Sequence, residues 1–474
     1  MAAGTGAADG IAGAGRGRSW VGLLALCLLV VALFEGALLG DDLLVARDLP
    51  RQFYPRNDAI GAALAAGEVP RWNPWCGHGA PWFGPRAGGV VYPGHLLFAA
   101  LSPGRAMAWF VALHTALALA GAWRLGRHDA PGDPTGPWLV GLAYGLGGFV
   151  TSMHWALPYL VSSAWLPWAL VGARQVAAGE RRGLALVGAA VGLCLLAAEP
   201  QGALIVAALA AMSALVHAPG ARRLAAPLLV GAAVVVGAAA GGLTLESVRD
   251  ELPRLDRGAD VWRELRFPLH PLAQLVDALV PGVHGHWAQH TGGFWGVRAW
   301  AGDMPWCGLG VGALGLAAVA ASGAAWRRPA WQEAAAWVVW GVVLAAVDAG
   351  APLHLRYPSK WLVITALGLA RLVGLGAPGL LRAAWPPAAL AAFALPAGAL
   401  GLWVLAGGEA VEAWLDAQAP GYVLRDEARA VTSFALLRAG AAALVAAGAC
   451  LLARRWPGGA GGFSCSSGRW RSTV

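Results

Sequence analysis

Residues 224–244 read LAAPLLVGAAVVVGAAAGGLT, an apolar stretch that contains no charged residue. A helix needs about 20 consecutive apolar residues to cross the hydrocarbon core of a bilayer. The stretch directly follows Arg222 and Arg223, and basic residues of this kind mark the cytoplasmic ends of membrane spans. It therefore predicts a transmembrane helix.

Apolar stretches of the same kind recur along the chain. A scan for runs that could cross a bilayer predicts about twelve spans. They lie near residues 20–40, 105–123, 137–152, 158–173, 183–198, 202–217, 224–244, 304–321, 331–347, 361–376, 387–406 and 434–453. The third and fourth are short and interrupted by Gly and Pro. The sequence thus predicts an all-α polytopic membrane protein.

The composition agrees with a lipid environment. Of the 474 residues, 58% are hydrophobic and 13% are charged, whereas soluble globular proteins carry about 25% charged residues. An ordinary water-soluble domain is therefore excluded. The net charge of +8 is explained by arginines at the ends of spans, so it gives no reason to expect a nucleic-acid partner.

Basic residues alternate between successive junctions and predict the topology. If the N-terminal segment is cytoplasmic, every second junction should be basic. The junctions that meet this expectation carry Arg124 and Arg127, Arg174 with Arg181 and Arg182, Arg222 and Arg223, Arg327 and Arg328, Arg371 and Arg382, and Arg454 and Arg455. We expect one membrane domain over 19–456, disordered cytoplasmic tails at 1–18 and 457–474, and two long extracytoplasmic loops near 41–104 and 245–303.

Two classes of function find no support in the sequence. The cytoplasmic turns are short and contain neither a P-loop nor a GxGxxG motif after a strand, which disfavours ATP-driven transport by this chain alone. The six cysteines show no CxxC spacing, so neither a zinc knuckle nor a thioredoxin-type site is indicated.

Three carboxylates follow the first span within eight residues: Asp41, Asp42 and Asp48. Charges so close to lipid are solvated, paired or functional. For Asp41 and Asp42 we favour a solvated helix end that is balanced by Arg47 and Arg51. Asp48 lies between those two arginines, which would keep it ionised. An ionised carboxylate at a membrane surface suits a general base.

The first loop also carries a succession of short motifs. They are Asp48 to Pro55 (DLPRQFYP), Gly67 to Pro74 (GEVPRWNP) and Val91 to His95 (VYPGH), and later parts of the chain add Trp165 to Trp168 (WLPW), Glu199 to Gln201 (EPQ) and Arg356 to Lys360 (RYPSK). In this order, the motifs resemble those of the bacterial YfhO-type membrane proteins, which belong with the GT-C-like polytopic glycosyltransferases. The likeness covers roughly residues 20–380.

The resemblance implies a GT-C-like fold in the bacterial inner (cytoplasmic) membrane and an inverting glycosyl transfer. The donor would be a sugar linked to polyprenyl phosphate, and the acceptor a cell-envelope molecule on the extracytoplasmic side. Family members commonly use a carboxylate of the first outward loop as base. In this chain Asp48 takes that position, with Asp42 or Asp41 as the nearest substitutes.

Three outward cations are candidates for holding the donor phosphate: Arg298, Arg356 and Lys360. Arginine offers phosphate a planar fork and lysine a point charge. Snorkelling to lipid headgroups is an equally good explanation. Lys360 is favoured because it is the single lysine of a chain whose composition otherwise replaces lysine by arginine.

Five further residues are candidates for substrate binding. Tyr92 and His95 stand just before the second span, where they would touch the sugar or simply form an interfacial pair. Asn73 is one of two asparagines and lies inside a family-like motif. Glu199 precedes Pro200, so a helix should break there; this would place Glu199 and Gln201 at the outward cavity.

No metal ligand or cofactor is assigned from the sequence. His284, His286 and His290 have a spacing that could bind a metal, but no carboxylate or cysteine accompanies them and we interpret the run as a plain loop. A divalent cation, if used, would fit Asp48 with Asp41 or Asp42 better, because hard cations prefer oxygen ligands.

Transport is the competing function. A permease or flippase of lipid-linked or small solutes would suit twelve spans equally well. The acidic residues, however, cluster in the outward loops, and Glu35 is the one carboxylate well inside the first predicted span. A non-catalytic envelope assembly protein is the third alternative.

Overall fold

The computed structural model describes residues 22, 24–46, 48–75, 78–82, 89–251, 280, 323–346, 358–382, 385–418 and 425–455. The predicted tails, the span near 304–321 and most of the loop near 245–303 lie outside the described residues, as do Arg298, Arg356 and the histidines 284, 286 and 290. The described part is almost entirely helical. The predicted all-α class is therefore confirmed.

The first part of the chain runs from the first apolar helix to the end of the predicted outward loop. Its elements are α1 (Leu24–Leu33), α2 (Glu35–Leu38), a π-helical turn (Leu49–Phe53), α3 (Tyr54–Ala65), β1 (Trp72–Asn73), β2 (Ala80–Pro81), a 3-10 turn (Pro93–His95) and α4 (Leu96–Ala100). The two short strands pair antiparallel, with Trp72 opposite Pro81 and Asn73 opposite Ala80. This loop is thus largely structured.

The helical bundle follows. Its helices are α5 (Pro103–Asp129), α6 (Gly136–Gly145), α7 (Gly148–Ser152), α8 (Leu157–Ala177), α9 (Arg182–Leu196), α10 (Pro200–His217), α11 (Arg222–Ala240), α12 (Gly242–Glu251), α13 (Pro329–Ala346), α14 (Leu362–Arg382), α15 (Pro386–Ala406), α16 (Glu409–Gln418) and α17 (Arg425–Arg455). Short 3-10 turns at Gly323–Arg327 and Pro358–Trp361 precede α13 and α14. The predicted span near 137–152 is two helices, because the chain is extended at Gly147.

Six described helices are long and apolar enough to cross a membrane. They are α5, α10, α11, α14, α15 and the 432–452 part of α17. The helices α1 and α9 are apolar but shorter. The chain thus has the character of an all-α membrane protein, while the count of twelve spans and the orientation of the termini stay predictions.

Burial separates central helices from peripheral ones. In α14 and α5 the apolar span is 83% and 72% buried, whereas in α11 it is only 22% buried. The side chains that α11 leaves exposed are apolar, among them Leu228, Val235 and Val236. A helix whose outer face is apolar needs lipid or another apolar partner there. We therefore place α5 and α14 in the bundle centre and α11 at its rim.

Close contact between α9 and α11 depends on glycine. A Cβ atom added to Gly237 would collide with the backbone oxygen of Gly188, and one added to Gly192 would lie 3.1 Å from the oxygen of Gly237. Small residues let membrane helices approach until their backbones touch. Gly231 on the same helix has nothing within 4 Å of its missing Cβ, so it offers a matched comparison.

We expect Gly237→Ala to lower the free energy of unfolding by about 1–3 kcal/mol, since the added methyl group overpacks the contact. Gly231→Ala should leave stability unchanged or raise it by up to about 1 kcal/mol, because alanine is the better helix former. Thermal unfolding of both variants in the same detergent measures this difference. Equal stabilities would contradict the close packing of α9 on α11.

Candidate functional site

A pocket lies where several helices begin. Its polar lining comes from Tyr159, Ser162 and Ser163 on α8, Glu199 before α10, and Lys360 before α14. Its apolar lining is Phe149, Leu166, Ile205, Val206 and Val363. The empty space, counted with the open mouth, is about 320 Å³. The pocket therefore offers a few polar groups on a mostly apolar wall, which is typical of small-molecule sites.

An ion pair occupies one side of this pocket. The Lys360 ammonium lies 3.2 Å from Oε1 and 3.4 Å from Oε2 of Glu199. The same Nζ atom is 3.8 Å from the centre of the Tyr159 ring, within the range of a cation–π contact. The Lys360 side chain is only 12% exposed and that of Glu199 5%. Both charges are thus held in a largely dry environment.

The backbone turn before Glu199 fixes its position. After α9, the N–H of Ala198 donates to the carbonyl of Leu195 and the N–H of Glu199 to that of Cys194. These two bonds define a Schellman motif, whose left-handed residue is usually glycine. Here that residue is Ala198, with φ of 60°. It is the one non-glycine residue with positive φ among the described residues, so the turn that presents Glu199 is strained.

Two other helix ends use glycine in the same motif. After α8, Gly179 has φ of 91°, and after α3, Gly67 has φ of 76°. At each end the glycine N–H donates to the carbonyl three residues back, and the next N–H donates to the carbonyl five residues back, as at Ala198 and Glu199. The alanine next to Glu199 therefore departs from the pattern that this chain itself follows elsewhere. Strained backbone of this kind tends to occur at functional sites.

Glu199 also begins the next helix. It is the N-cap of α10, and its Oε1 accepts a hydrogen bond of 3.1 Å from the N–H of Gly202. A carboxylate is favourable at a helix N-terminus because the first N–H groups lack partners within the helix. A Cβ atom at Gly202 would collide with the Ser162 side chain. Glycine at 202 therefore lets α10 approach α8 closely at the pocket.

Gln201, His95 and Tyr92 are buried near this end of the bundle. Neither polar side-chain atom of Gln201 has a hydrogen-bond partner among the described residues. Burial, followed by repulsion from the Arg56 guanidinium, lowers the pKa of His95 to about 3, so its imidazole is neutral at physiological pH. Its ring stacks on Phe110. None of the three lines the pocket.

Tyr92 has a defined partner in α5. Nδ1 of His114 lies 2.6 Å from the backbone carbonyl of Phe110 and must donate, because a carbonyl oxygen only accepts. Nε2 of His114 is therefore the acceptor for the Tyr92 hydroxyl at 2.5 Å. The indole Nε1 of Trp165 lies 3.5 Å from the same hydroxyl oxygen. Tyr92 is therefore bonded to His114 and not to His95, the partner considered from the sequence, and its role in substrate binding stays a prediction.

The candidates of the first loop lie apart from the pocket lining. Asp48 is the N-cap of the π-helical turn, and its side chain has no hydrogen bond or ion pair to a described residue, while Asp41 and Asp42 are exposed. Asn73 accepts a hydrogen bond of 3.0 Å from the N–H of Trp75. The proposed base and Lys360 are therefore not joined by any described contact, and the role of Asp48 stays a prediction.

A second cluster of charges was not anticipated from the sequence. Arg371 donates to both carboxylate oxygens of Asp129, at 2.6 and 3.0 Å, and to Glu333 at 2.7 Å. Arg174 donates to Asp129 at 3.0 Å, to Glu333 at 2.6 Å and to Ser213 at 2.8 Å. We call Asp129, Arg174, Glu333 and Arg371 the ion network. Its two guanidinium groups balance its two carboxylates.

The ion network ties four helices together. Asp129 ends α5, Arg174 lies in the last turn of α8, Glu333 in the second turn of α13 and Arg371 in the middle of α14. His217, at the end of α10, adds a bond of 3.2 Å to Glu333. Arg371 is fully buried, so its interpretation as an arginine at a span end is wrong.

One signal could have revealed this network. Arg371 is the tenth of the 21 residues of α14, and a charge inside an apolar span usually has a partner in the bundle. Its partners could not be chosen from the sequence, because Asp129 and Glu333 lie 242 and 38 residues away. Among the described residues, no group of three or more His, Cys, Asp or Glu side chains could hold a metal ion.

Comparison with known proteins gives no relative for this arrangement. No family model, curated protein or solved structure matches the chain. The resemblance to the YfhO-type proteins therefore stays a prediction from the motifs.

We expect Ala198→Gly to leave the free energy of unfolding unchanged or raise it by up to about 1.6 kcal/mol. Glycine removes a left-handed strain of about 1–2 kcal/mol, and the greater conformational entropy of glycine in the unfolded chain offsets about 0.4–1 kcal/mol of this gain. The reverse change at the equivalent turn after α8, Gly179→Ala, should lower the free energy of unfolding by at least about 1 kcal/mol. It adds left-handed strain, and its Cβ would also meet the Arg222 guanidinium. Unfolding of both variants in detergent tests this. A destabilised Ala198→Gly would show that the turn is unstrained.

We expect Arg371→Met to lower the free energy of unfolding by about 3–5 kcal/mol, because it leaves two buried carboxylates short of a partner. Arg182→Met is the matched control. It removes an ion pair to Glu180 whose side chains are 70% and 45% exposed, and should change stability by less than about 1 kcal/mol. Unfolding measurements on both variants check the difference, and equal losses would contradict a stabilising role of the buried network.

Proposed function

We propose that this chain is a GT-C-like membrane glycosyltransferase that takes a sugar from a polyprenyl-phosphate donor and passes it to a cell-envelope acceptor. On this proposal the chain crosses the bacterial inner membrane about twelve times and works on the extracytoplasmic side. The observation that carries the proposal is the Lys360–Glu199 pair in a pocket with apolar walls. A lipid-linked phosphate needs both a cation and an apolar surface.

The pocket suits each part of such a donor. Lys360 provides a point charge for the phosphate. The Tyr159 ring and the hydroxyl groups of Ser162 and Ser163 can contact a sugar. Phe149, Leu166 and Val363 are among the apolar residues that would contact the first isoprenoid units.

The transfer itself needs a base and a held leaving group. The acceptor hydroxyl oxygen bonds to the anomeric carbon, the bond from that carbon to the phosphate oxygen breaks, and the electron pair leaves with the phosphate. The hydroxyl proton passes to a carboxylate, for which we propose Asp48, with Asp42 and Asp41 as substitutes. Arg356 and Arg298 are proposed as further phosphate contacts.

A second function is supported by the ion network. Charged groups buried between membrane helices are common on the pathways of transporters, and this chain buries two carboxylates and two guanidinium groups between four helices. Asp129 and Glu333 are acidic residues outside the outward loops in which the acidic residues were expected to cluster. A flippase or permease of lipid-linked solutes is accordingly the alternative.

We expect Lys360→Met to weaken binding of a polyprenyl-phosphate-linked hexose by at least about tenfold, since a hydrogen bond to a charged group contributes about 1.5–3 kcal/mol. Lys360→Arg should retain most of the affinity. Arg328→Met should retain all of the affinity. It removes an exposed positive charge that directly precedes α13, at the end of that helix that lies away from the pocket. Binding is measured with protein in nanodiscs of zwitterionic lipid.

The same protein in vesicles separates the two functions. A transferase converts the polyprenyl-phosphate-linked hexose to polyprenyl monophosphate when envelope glycans are supplied, and Asp48→Asn should abolish the conversion. Movement of the lipid across the bilayer without any monophosphate would instead favour a flippase. Equal conversion by wild type and Asp48→Asn would remove the assignment of the base, and absence of binding would remove the proposed function.

A further inference from the structure

Glu199 cannot readily leave the pocket when a ligand arrives. Its backbone N–H is bonded to Cys194 in the Schellman motif, its carboxylate is bonded to the N–H of Gly202, and Pro200 restricts the chain next to it. The residue is only 4% exposed. The carboxylate therefore stays beside any group that binds to Lys360.

A phosphate on Lys360 would thus lie next to a fixed negative charge. The two pocket charges are 3.2 Å apart, so an anion in contact with Nζ is within a few ångströms of the carboxylate. In a site of low polarity, the interaction of two charges at such a distance is several times stronger than in water. Glu199 cancels most of the attraction that Lys360 offers, so each further negative charge on the ligand is buried with little compensation, and this disfavours the doubly charged form.

We propose that Glu199 is a specificity-determining residue that admits singly charged phosphodiesters and rejects doubly charged phosphomonoesters. The inference rests on the proposed function, in which the donor is a lipid-linked sugar phosphodiester. Such a diester carries one negative charge, whereas a phosphomonoester carries about 1.5–2 at neutral pH. Donor and product of the same reaction therefore differ in the property to which Glu199 responds.

The proposal gives the ion pair a role in turnover. When the bond between the anomeric carbon and the phosphate oxygen breaks, that oxygen keeps the electron pair and the phosphate gains a negative charge. The product then lies beside Glu199 with an excess charge that Lys360 alone does not offset. Repulsion speeds its departure, and the ion pair reforms in the emptied pocket.

Three ligands with the same polyprenyl chain test the proposal on the wild-type protein in nanodiscs of zwitterionic lipid. They are the phosphomonoester, its methyl phosphodiester and the hexose phosphodiester. The methyl group removes one charge without adding a sugar, so the methyl diester should bind at least about tenfold more tightly than the monoester, given the strength of charge repulsion in such a site. Equal affinities, or tighter binding of the monoester, would overturn the proposal.

The Glu199→Gln variant tests the residue itself. Glutamine keeps an oxygen that can accept from Gly202 but carries no charge. We expect the monoester to gain affinity by at least about tenfold and the two diesters to gain less, so that the discrimination disappears. An equal gain for all three ligands, or none, would show that Glu199 does not discriminate by charge. If this variant does not fold, the methyl diester comparison on wild type still decides.

Competition identifies the source of the phosphate. Phosphatidylglycerol is also a singly charged phosphodiester, and its failure to displace the hexose diester supports a polyprenyl-linked ligand, while its success would overturn that substrate class. Inorganic phosphate should not compete, because it lacks the apolar chain. If no ligand binds wild type, or if Lys360→Met binds the hexose diester as tightly as wild type does, the proposed function fails and the specificity proposal fails with it.

Discussion

A charge buried between apolar helices needs a partner, because the surroundings cannot replace the water it has lost. This constraint accounts for the two polar centres among the described residues. Lys360 has Glu199 and the Tyr159 ring, and the guanidinium groups of Arg174 and Arg371 share the carboxylates of Asp129 and Glu333. In both cases the partner comes from another helix, so the pairing of charges also fixes the packing of helices.

The two centres lie at opposite ends of α10. Glu199 caps its first turn and His217, which contacts Glu333, is its last residue. Eighteen residues at about 1.5 Å each give about 27 Å, close to the hydrocarbon thickness of a bilayer of about 30 Å. The pocket and the ion network are therefore placed near the two faces of an apolar layer of membrane thickness, with the uncharged part of α10 between them.

Local properties of the sequence were predictable, whereas pairings across the chain were not. The spans near 202–217 and 387–406 correspond closely to α10 and α15, because length and apolar character are local. Glu199 stands out in the sequence because a proline follows it, and Lys360 stands out because it is the single lysine. Their contact joins residues 161 positions apart, and nothing in either segment names the other.

The ion network shows the same limit more strongly. Positive charges near the ends of spans are expected to face the cytoplasm. Arg371 was counted among them because it is an arginine, although it lies inside a helix. Asp129 and Glu333 do not stand out in the sequence, because a single carboxylate near a basic turn is usually solvated. Only the packing of α5, α8, α13 and α14 distinguishes a solvated charge from a buried one, and that packing depends on long-range contacts.

The chemistry of the two cations matches different tasks. The guanidinium of Arg371 holds Asp129 through two bonds and Glu333 through a third, a geometry that lysine cannot reproduce. A change of partner at Arg371 would break several hydrogen bonds at once, so this residue is suited to holding helices together. Lys360 is a point charge on a flexible stem with a carboxylate and an aromatic ring as neighbours, and its ammonium can turn toward an incoming anion while Glu199 stays in place. The single lysine thus lies where a change of partner is easiest, and the arginines lie where it is hardest.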